Sequence, residues 1–305
     1  MSNKKVVTQA YAKNNFRIVG LVLIIYCLIV LYMPLALKQV IIVSDKLFYK
    51  GVNTYFFISF ICLIIGTIVP FLFLRLYSKK ELSFFIEKSD IHIKDLLIDF
   101  VVFFAICALA IYCMTMLSEL FSVEGELISS IGISFNSEYM KDYLYLATFV
   151  IITPVLEEYA FRGVLLTCLS KYGKCFALVA TSIIYGIAHG SLIELIPSIV
   201  MSVFLCKLTL RYKSIRPSLI IHIMFNCSLW LLSIIPIKYN LYIMIALGVV
   251  LIGAIVLMIT RKYHHIIVKK SKYNNQITLT FFLTYTVVIA LALFIMYTVL
   301  LMVVA

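Results

Sequence analysis

Charged residues are scarce in this sequence, and the scarcity restricts its fold more than any other feature. Asp, Glu, Lys and Arg make up only 13% of the 305 residues, whereas 64% are hydrophobic and the mean hydropathy is +1.09. Soluble domains usually carry about 25% charged residues, so this composition argues against water-soluble enzyme classes. The 11 Gly and 6 Pro are scattered and form no low-complexity tract, which excludes collagen-like and disordered structure.

Paired cysteine motifs are absent as well. None of the 8 Cys belongs to a CxxC pair, and nearly all of them lie inside apolar runs. A disulfide framework needs paired positions outside the membrane, and a structural zinc site needs closely spaced ligands. We therefore expect the cysteines to pack as small hydrophobic side chains.

Long apolar runs dominate the rest of the chain. A helix that crosses the hydrocarbon core of a bilayer needs about 20 apolar residues. Runs of roughly this kind lie at 18–37, 53–74, 97–118, 143–169, 175–192, 193–210, 218–236, 240–260 and 277–304. The sequence therefore predicts an all-α, polytopic integral membrane protein with about eight or nine transmembrane helices. Only Gly190 and Ser191 separate the fifth run from the sixth, which favours a tight hairpin there.

The charges in the connectors predict the orientation. The chain carries 26 Lys and Arg against 14 Asp and Glu, a net charge of +12. The N-terminus and the connectors after the second, fourth, sixth and eighth runs are basic, whereas the connector over residues 119–142 is acidic. Because Lys and Arg favour the cytosolic side, we expect a cytosolic N-terminus. Topology accounts for the basic residues, so no nucleic-acid partner is expected.

Ionisable and strongly polar residues are concentrated in the fourth, fifth and seventh runs. They are Glu157, Glu158, Arg162, His189, His222 and Asn226. Ionisable groups cost several kcal/mol in hydrocarbon unless they are paired or hydrated, so a cluster of them marks a functional site. The alternative is a structural role, in which these groups only hydrogen-bond the helices to one another.

Spacing gives these residues different roles. Glu158 and Arg162 stand four residues apart on one helix, so they can form an ion pair. Glu157 is then left as a candidate general base or acid, and His189 on the next helix could share a water molecule with it. His222 and Asn226, also four residues apart, could donate hydrogen bonds to the oxyanion that forms when this water attacks a carbonyl.

Three motifs in this region resemble those of a known family. The motifs are Glu157-Glu158-x-x-x-Arg162, Tyr185-x-x-x-His189 and His222-x-x-x-Asn226. They are similar to the motifs of the CPBP family, which includes the type II CAAX prenyl endopeptidases and the bacterial Abi proteins associated with bacteriocin immunity. The resemblance covers residues 143–230. The family usually has Phe where this chain has Tyr185. We expect Tyr185 to pack beside the site.

The resemblance implies an intramembrane endopeptidase. Glu157 and His189 would activate water, and His222 and Asn226 would form an oxyanion hole. The substrate would be a membrane-embedded or lipidated peptide or protein, and the expected location is a bacterial cell membrane. We expect the catalytic core over residues 143–236, with transmembrane helices over 1–142 before it and over 237–305 after it.

A zinc site is the alternative to a site without a cofactor. Glu157, His189 and His222 could supply one carboxylate and two imidazoles, leaving a fourth position for water. The chain lacks HExxH, in which a separate Glu beside the ligands acts as the base. Because Glu158 is expected to pair with Arg162, the residues favour the glutamate mechanism.

Two functions without proteolysis stay open. A protein of the same fold could be a non-catalytic immunity or partner-binding protein. Glu157 and His189 could instead relay protons in a proton-coupled transporter. No internal repeat is evident, which mildly disfavours the inverted-repeat architecture of many transporters. Pheromone maturation, bacteriocin self-protection and protein turnover all fit the protease.

The depth of these residues in the membrane sets a condition on the site. At 1.5 Å per residue, Glu157 lies ~21 Å along its helix from Lys171, whereas His222 lies only ~9 Å from Arg216. Measured from these basic connectors, Glu157 and His222 would therefore lie at different depths in the membrane, although a shared site needs them at the same depth. We therefore expect either a tilted seventh helix or a connector over residues 211–217 that dips into a water-filled cavity.

Overall fold

The computed structural model describes residues 9–37, 54–78, 91–120, 146–235, 237–260 and 274–304. Every regular element in these ranges is helical, and none of them contains a strand. The prediction of an all-α polytopic membrane protein is therefore confirmed. Residues 121–142 of the acidic connector and the basic connector over 261–272 lie outside the described residues. The cytosolic N-terminus and the three-part division of the chain remain predictions.

The helices are numbered here in chain order. They are α1 (Gln9–Cys27, continued by a π-helical stretch at Leu28–Tyr32), α2 (Thr54–Tyr77), α3 (Ile93–Leu120), α4 (146–170), α5 (Lys174–Ala188), α6 (Leu192–Tyr212), α7 (Arg216–Ser233), α8 (Asn240–Thr260), α9 (Asn274–Phe282) and α10 (Tyr285–Val304). A short 3₁₀ turn at Ile237–Tyr239 leads into α8.

Several of these helices are suited to a bilayer. Those long and apolar enough to cross it are Tyr11–Leu37, Phe56–Tyr77, Ile93–Leu117, Leu192–Tyr212 and Tyr285–Met302. Shorter apolar helices are Lys174–Ala188, Arg216–Leu232 and Tyr242–Leu257. Apolar side chains stand exposed on their outer faces, as on α8, where Ile245, Val249 and Ile252 are 57%, 65% and 65% exposed. Such a surface fits lipid, while the number of spans remains a prediction.

The fifth and sixth predicted runs form a hairpin, as the sequence indicates. Helix α5 has only 15 residues, about 22 Å of rise, which is short for a hydrocarbon core of about 30 Å. Gly190 makes the turn with a φ of +66°, a left-handed conformation that glycine adopts readily. Ser191 then caps α6 by accepting a hydrogen bond from the N–H of Glu194. The hairpin places the end of α5 beside the start of α6.

The ninth predicted run is not one straight helix. It divides between α9 and α10 around Leu283 and Thr284. The hydroxyl of Thr284 donates to the carbonyl of Thr280 at 2.7 Å, and its N–H donates to Phe281 three residues earlier. Back-bonding by Thr side chains bends helices, which gives a physical reason for the break.

The first and last described helices pack against each other. A Cβ added at Gly20 would lie 2.4 Å from Thr286 Oγ1 and 2.5 Å from Val287 N, so only glycine permits this approach. The Thr286 hydroxyl donates to the carbonyl of Arg17 at 2.9 Å, and the Tyr32 hydroxyl donates to that of Leu293 at 2.7 Å. These contacts join α1 to α10 at two points along their lengths.

The cysteines pack largely as expected. All eight are free thiols, and five of them are buried. Cys27, Cys107 and Cys168 lie in the main core among side chains of α1, α3 and α4. They fill space in the apolar interior.

Candidate active site

Helix α4 carries the two adjacent glutamates, and its winding changes beside them. Pro154 has no N–H to donate, and its ring crowds the carbonyl four residues earlier. A π-helical stretch, Thr148–Ile152, precedes it. A second one, Glu158–Leu165, begins directly after Glu157. Turns of this kind are rare and are frequent at functional sites, and here one begins between the two glutamates.

Glu158 and Arg162 form an ion pair in the interior. The Nη1 atom of Arg162 lies 2.9 Å from Glu158 Oε1, and both side chains are fully buried. The ring of Tyr185 covers the guanidinium, with its centroid 4.3 Å from Cζ. Because a buried charge is tolerated only when it is paired, each of the two residues holds the other in place.

His222 lies between the two glutamates. Its Nδ1 atom is 3.0 Å from Glu158 Oε1, and its Nε2 atom is 3.8 Å from Glu157 Oε2. The ring is 2% exposed. Since the ion-paired carboxylate of Glu158 accepts hydrogen bonds, Nδ1 is the donor in this contact. The other nitrogen faces Glu157.

Glu157 is the more accessible glutamate. Its side chain is 17% exposed, whereas that of Glu158 is fully buried. The hydroxyl of Tyr185 donates a 2.6 Å hydrogen bond to Glu157 Oε2. Of the two carboxylate oxygens of Glu157, only Oε2 has a hydrogen-bond partner among the described residues.

His189 contacts Tyr185, which in turn contacts Glu157. It follows α5 directly, and its Nδ1 atom lies 2.8 Å from the backbone carbonyl of Tyr185. A carbonyl only accepts, so Nδ1 carries the hydrogen and Nε2 is left as an acceptor in the neutral ring. The His189 and Tyr185 rings meet edge to face, with centroids 4.6 Å apart. The described contacts thus connect His189 to Glu157 by way of Tyr185.

Asn226 is held against α4. Its side-chain nitrogen donates to the carbonyl of Phe149 at 3.0 Å, and the side chain is largely buried. An amide nitrogen carries two hydrogens, so one remains beyond this bond. Asn226 lies one helical turn after His222 on α7, and both residues face α4.

The connector before α7 enters the interior. Ser214 and Ser218 are fully buried, and Ile215 is 9% exposed. The Thr209 hydroxyl donates to Ser218 Oγ at 3.1 Å, and the Ser218 hydroxyl donates to the carbonyl of Ile215. This burial brings the first turns of α7 alongside α4, which is how His222 meets Glu158 although it is close to Arg216 in sequence. The water-filled cavity remains a prediction.

Two further residues near Glu157 were not predicted from the sequence. Glu194, in the first turn of α6, interacts electrostatically with His189 and Glu157. An acidic residue in an apolar run was the signal for it. Tyr26 of α1 is buried, and its ring centroid lies 6.0 Å from that of Phe161, four residues after Glu157. One more tyrosine in an apolar helix gives no sequence signal.

The carboxylates and imidazoles of the site are also possible metal ligands. Across the described ranges, no three side chains of His, Cys, Asp or Glu stand together as a set that could hold a metal ion. The Nδ1 atoms of His189 and His222 face Tyr185 and Glu158. The mechanism without a cofactor and the zinc alternative both remain predictions.

Comparison with known proteins bears on this region. Residues 140–228 match the family model described as type II CAAX prenyl endopeptidase Rce1-like. The match contains the three motifs and leaves α1 to α3 and α8 to α10 outside it. No curated protein and no solved structure matches the chain. Over residues 140–228, this integral membrane protein is therefore similar to the CPBP/CAAX protease family.

Proposed function

We propose that this protein is an intramembrane endopeptidase that hydrolyses a peptide bond of a membrane-associated or lipidated substrate. One observation carries the proposal. The partly accessible carboxylate of Glu157 lies between the Tyr185 hydroxyl and His222 Nε2, beside a fully buried Glu158–Arg162 pair. A general base needs such fixed geometry and access to the proton that it takes.

The reaction divides among these residues. A water molecule held by Glu157 and His189 attacks the carbonyl carbon, and its proton passes to Glu157. The new oxyanion accepts hydrogen bonds from His222 Nε2 and from the side-chain nitrogen of Asn226. Collapse of the tetrahedral intermediate breaks the C–N bond, and Glu157 returns the proton to the leaving nitrogen. The products are a carboxylic acid and an amine, and the net reaction consumes one water.

The surroundings define the class of substrate. The chain has apolar outer faces and a family match to enzymes of membrane-associated substrates. A peptide or protein with a lipid group or a transmembrane segment would be concentrated in the membrane beside the site. This favours such a molecule as the substrate. A bacterial cell membrane stays the expected location.

We propose the glutamate mechanism without a cofactor and keep zinc as the alternative. Glu157, His189 and His222 would be the ligands of a zinc ion, which would polarise the carbonyl and acidify water when bound. The described donors do not converge in this way, so no step is assigned to a metal.

Glu157→Gln tests the proposal. This variant removes the base and keeps the size and polarity of the side chain. Mass spectrometry of membrane peptides from cells with each form should show products that the variant lacks. Asp95→Asn, at the start of α3, is the matched control and should leave the products in place.

Other outcomes identify the competing functions. Unchanged biological function of Glu157→Gln would favour an immunity or partner-binding protein. Proton-gradient-dependent transport in liposomes, with no peptide product, would identify a transporter.

A further inference from the structure

The second motif of this chain has a hydroxyl where the resembled family usually has none. Tyr185 is fully buried in α5, and its hydroxyl donates a hydrogen bond to Glu157 Oε2 at 2.6 Å. Hydrogen bonds to charged acceptors are short and strong. The contact joins the two helices that carry the first two motifs.

The same side chain touches most of the candidate site. Its ring covers the guanidinium of Arg162 and meets the rings of Phe161 and His189 edge to face, with centroids 5.0 and 4.6 Å away. Its backbone carbonyl accepts from His189 Nδ1 at 2.8 Å. These contacts fix the ring from several directions, so the position of its hydroxyl is fixed as well.

The hydroxyl also separates the two oxygens of Glu157. Oε2 faces both the Tyr185 hydroxyl and, at 3.8 Å, His222 Nε2. A carboxylate held at one oxygen cannot rotate freely about its last bond, so the other oxygen keeps a constant direction. Oε1 is therefore the atom that meets solvent or substrate.

We propose that the Tyr185 hydroxyl is a positioning group that holds Glu157 by Oε2 and presents Oε1 to the reacting water. This inference rests on the proposed function. Tyr185 acts through Glu157 and does not touch the substrate. It should therefore contribute to the rate of hydrolysis and not to substrate binding.

Tyr185→Phe is the direct test. Phenylalanine keeps the ring over Arg162, the contacts with Phe161 and the backbone carbonyl that accepts from His189, and it loses only the hydroxyl. With a substrate peptide identified from the membrane, kcat should fall about 10- to 100-fold while KM stays unchanged. Unchanged kcat overturns the proposal, and so does a raised KM with unchanged kcat, because the hydroxyl would then contact substrate.

Tyr172→Phe is the matched control. The Tyr172 hydroxyl is also buried and hydrogen-bonded, since it accepts from Asn15 Nδ2 at 2.7 Å, but it lies in the turn between α4 and α5. The control should lose some stability and keep kcat. An equal loss of kcat in both variants would show a general effect of removing a buried hydroxyl and would contradict the positioning role.

A second measurement does not need activity. Unfolding in detergent is compared for Tyr185→Phe, Glu157→Ala and the double variant, and the two changes should be non-additive because each of them removes the hydrogen bond between the two side chains. Additive effects overturn the proposal. The two substitutions could be non-additive while the wild-type protein cleaves no peptide. That result would reject the proposed function and the catalytic role of Tyr185, and it would still support the hydrogen bond between Tyr185 and Glu157.

Discussion

His222 Nδ1 lies 3.0 Å from Glu158 Oε1, the same oxygen that pairs with Arg162. This contact assigns the Nδ1 proton, because the carboxylate can only accept. Under the proposed mechanism, Nε2 donates to the oxyanion only when His222 carries a second proton. Glu158 contacts the His222 ring in addition to pairing with Arg162.

His222→Gln tests this part of the site. The side-chain nitrogen of glutamine can still donate to Glu158. Glutamine has no second donor at the position of Nε2, so the hydrogen bond to the oxyanion is lost. Loss of one oxyanion donor typically lowers kcat by about 100-fold or more, and we expect that loss with little change in protein abundance. A variant that cleaves peptides at the wild-type rate would remove His222 from the oxyanion hole.

Arg162→Leu should severely destabilise the protein. The substitution leaves Glu158 charged, fully buried and without its guanidinium, and breaking a buried pair costs about 3–5 kcal/mol. Unfolding in detergent measures the loss. Arg211→Leu is the comparison, because Arg211 is 37% exposed and lies 3.7 Å from Asp99, whose side chain is 5% exposed. Since this pair is longer and open to solvent on one side, its loss should cost less than that of the Glu158–Arg162 pair. Equal losses would contradict the importance of the buried pair.

Gly190→Ala should displace His189. The turn has a φ of +66°, and a Cβ at this position would lie 2.8 Å from the ring of Tyr297 on α10. Alanine is strained in this conformation by about 1 kcal/mol or more before the collision is counted. We expect lower stability and lower kcat together. Gly253→Ala in α8 meets nothing within 4 Å, so it should leave activity unchanged and raise helix stability by about 0.5–1 kcal/mol.

Metal removal separates the two mechanisms. Under the glutamate mechanism, protein treated with a strong chelator and then freed of it should keep its full rate of cleavage. Metal analysis of the same sample reports its zinc content. Activity that disappears with zinc and returns when zinc is added would instead assign Glu157, His189 and His222 as ligands.

Much of the fold could be predicted because the bilayer imposes a simple rule on the chain. Apolar runs of the right length predict helices, and the described part of the chain is helical in each of them. The break at Thr284 could not be predicted from hydropathy, because the run over 277–304 is apolar on both sides of it. It depends on a hydroxyl that donates to the carbonyl of Thr280. The end of α5 was predictable, because Gly190 and Ser191 separate the two runs in the sequence.

The candidate site was predictable to the extent that it depends on residues within one helix. The i,i+4 spacing predicts the Glu158–Arg162 contact, and the cost of ionisable groups in lipid selects the histidines. The hydroxyl contact between Tyr185 and Glu157 depends on how α5 is rotated against α4, and the proximity of Tyr26 depends on where α1 packs. No local pattern records these rotations. Their source is the packing of helices distant in sequence.

The close fit of Gly20 against Thr286 has a consequence for biogenesis. During synthesis, α1 leaves the ribosome long before α10 has been made. Until then, the face of α1 that carries Gly20 is covered by lipid or by the insertion machinery, and the carbonyl of Arg17 has not yet met the Thr286 hydroxyl. The contact between α1 and α10 therefore forms late in synthesis, when α10 enters the membrane and docks onto α1.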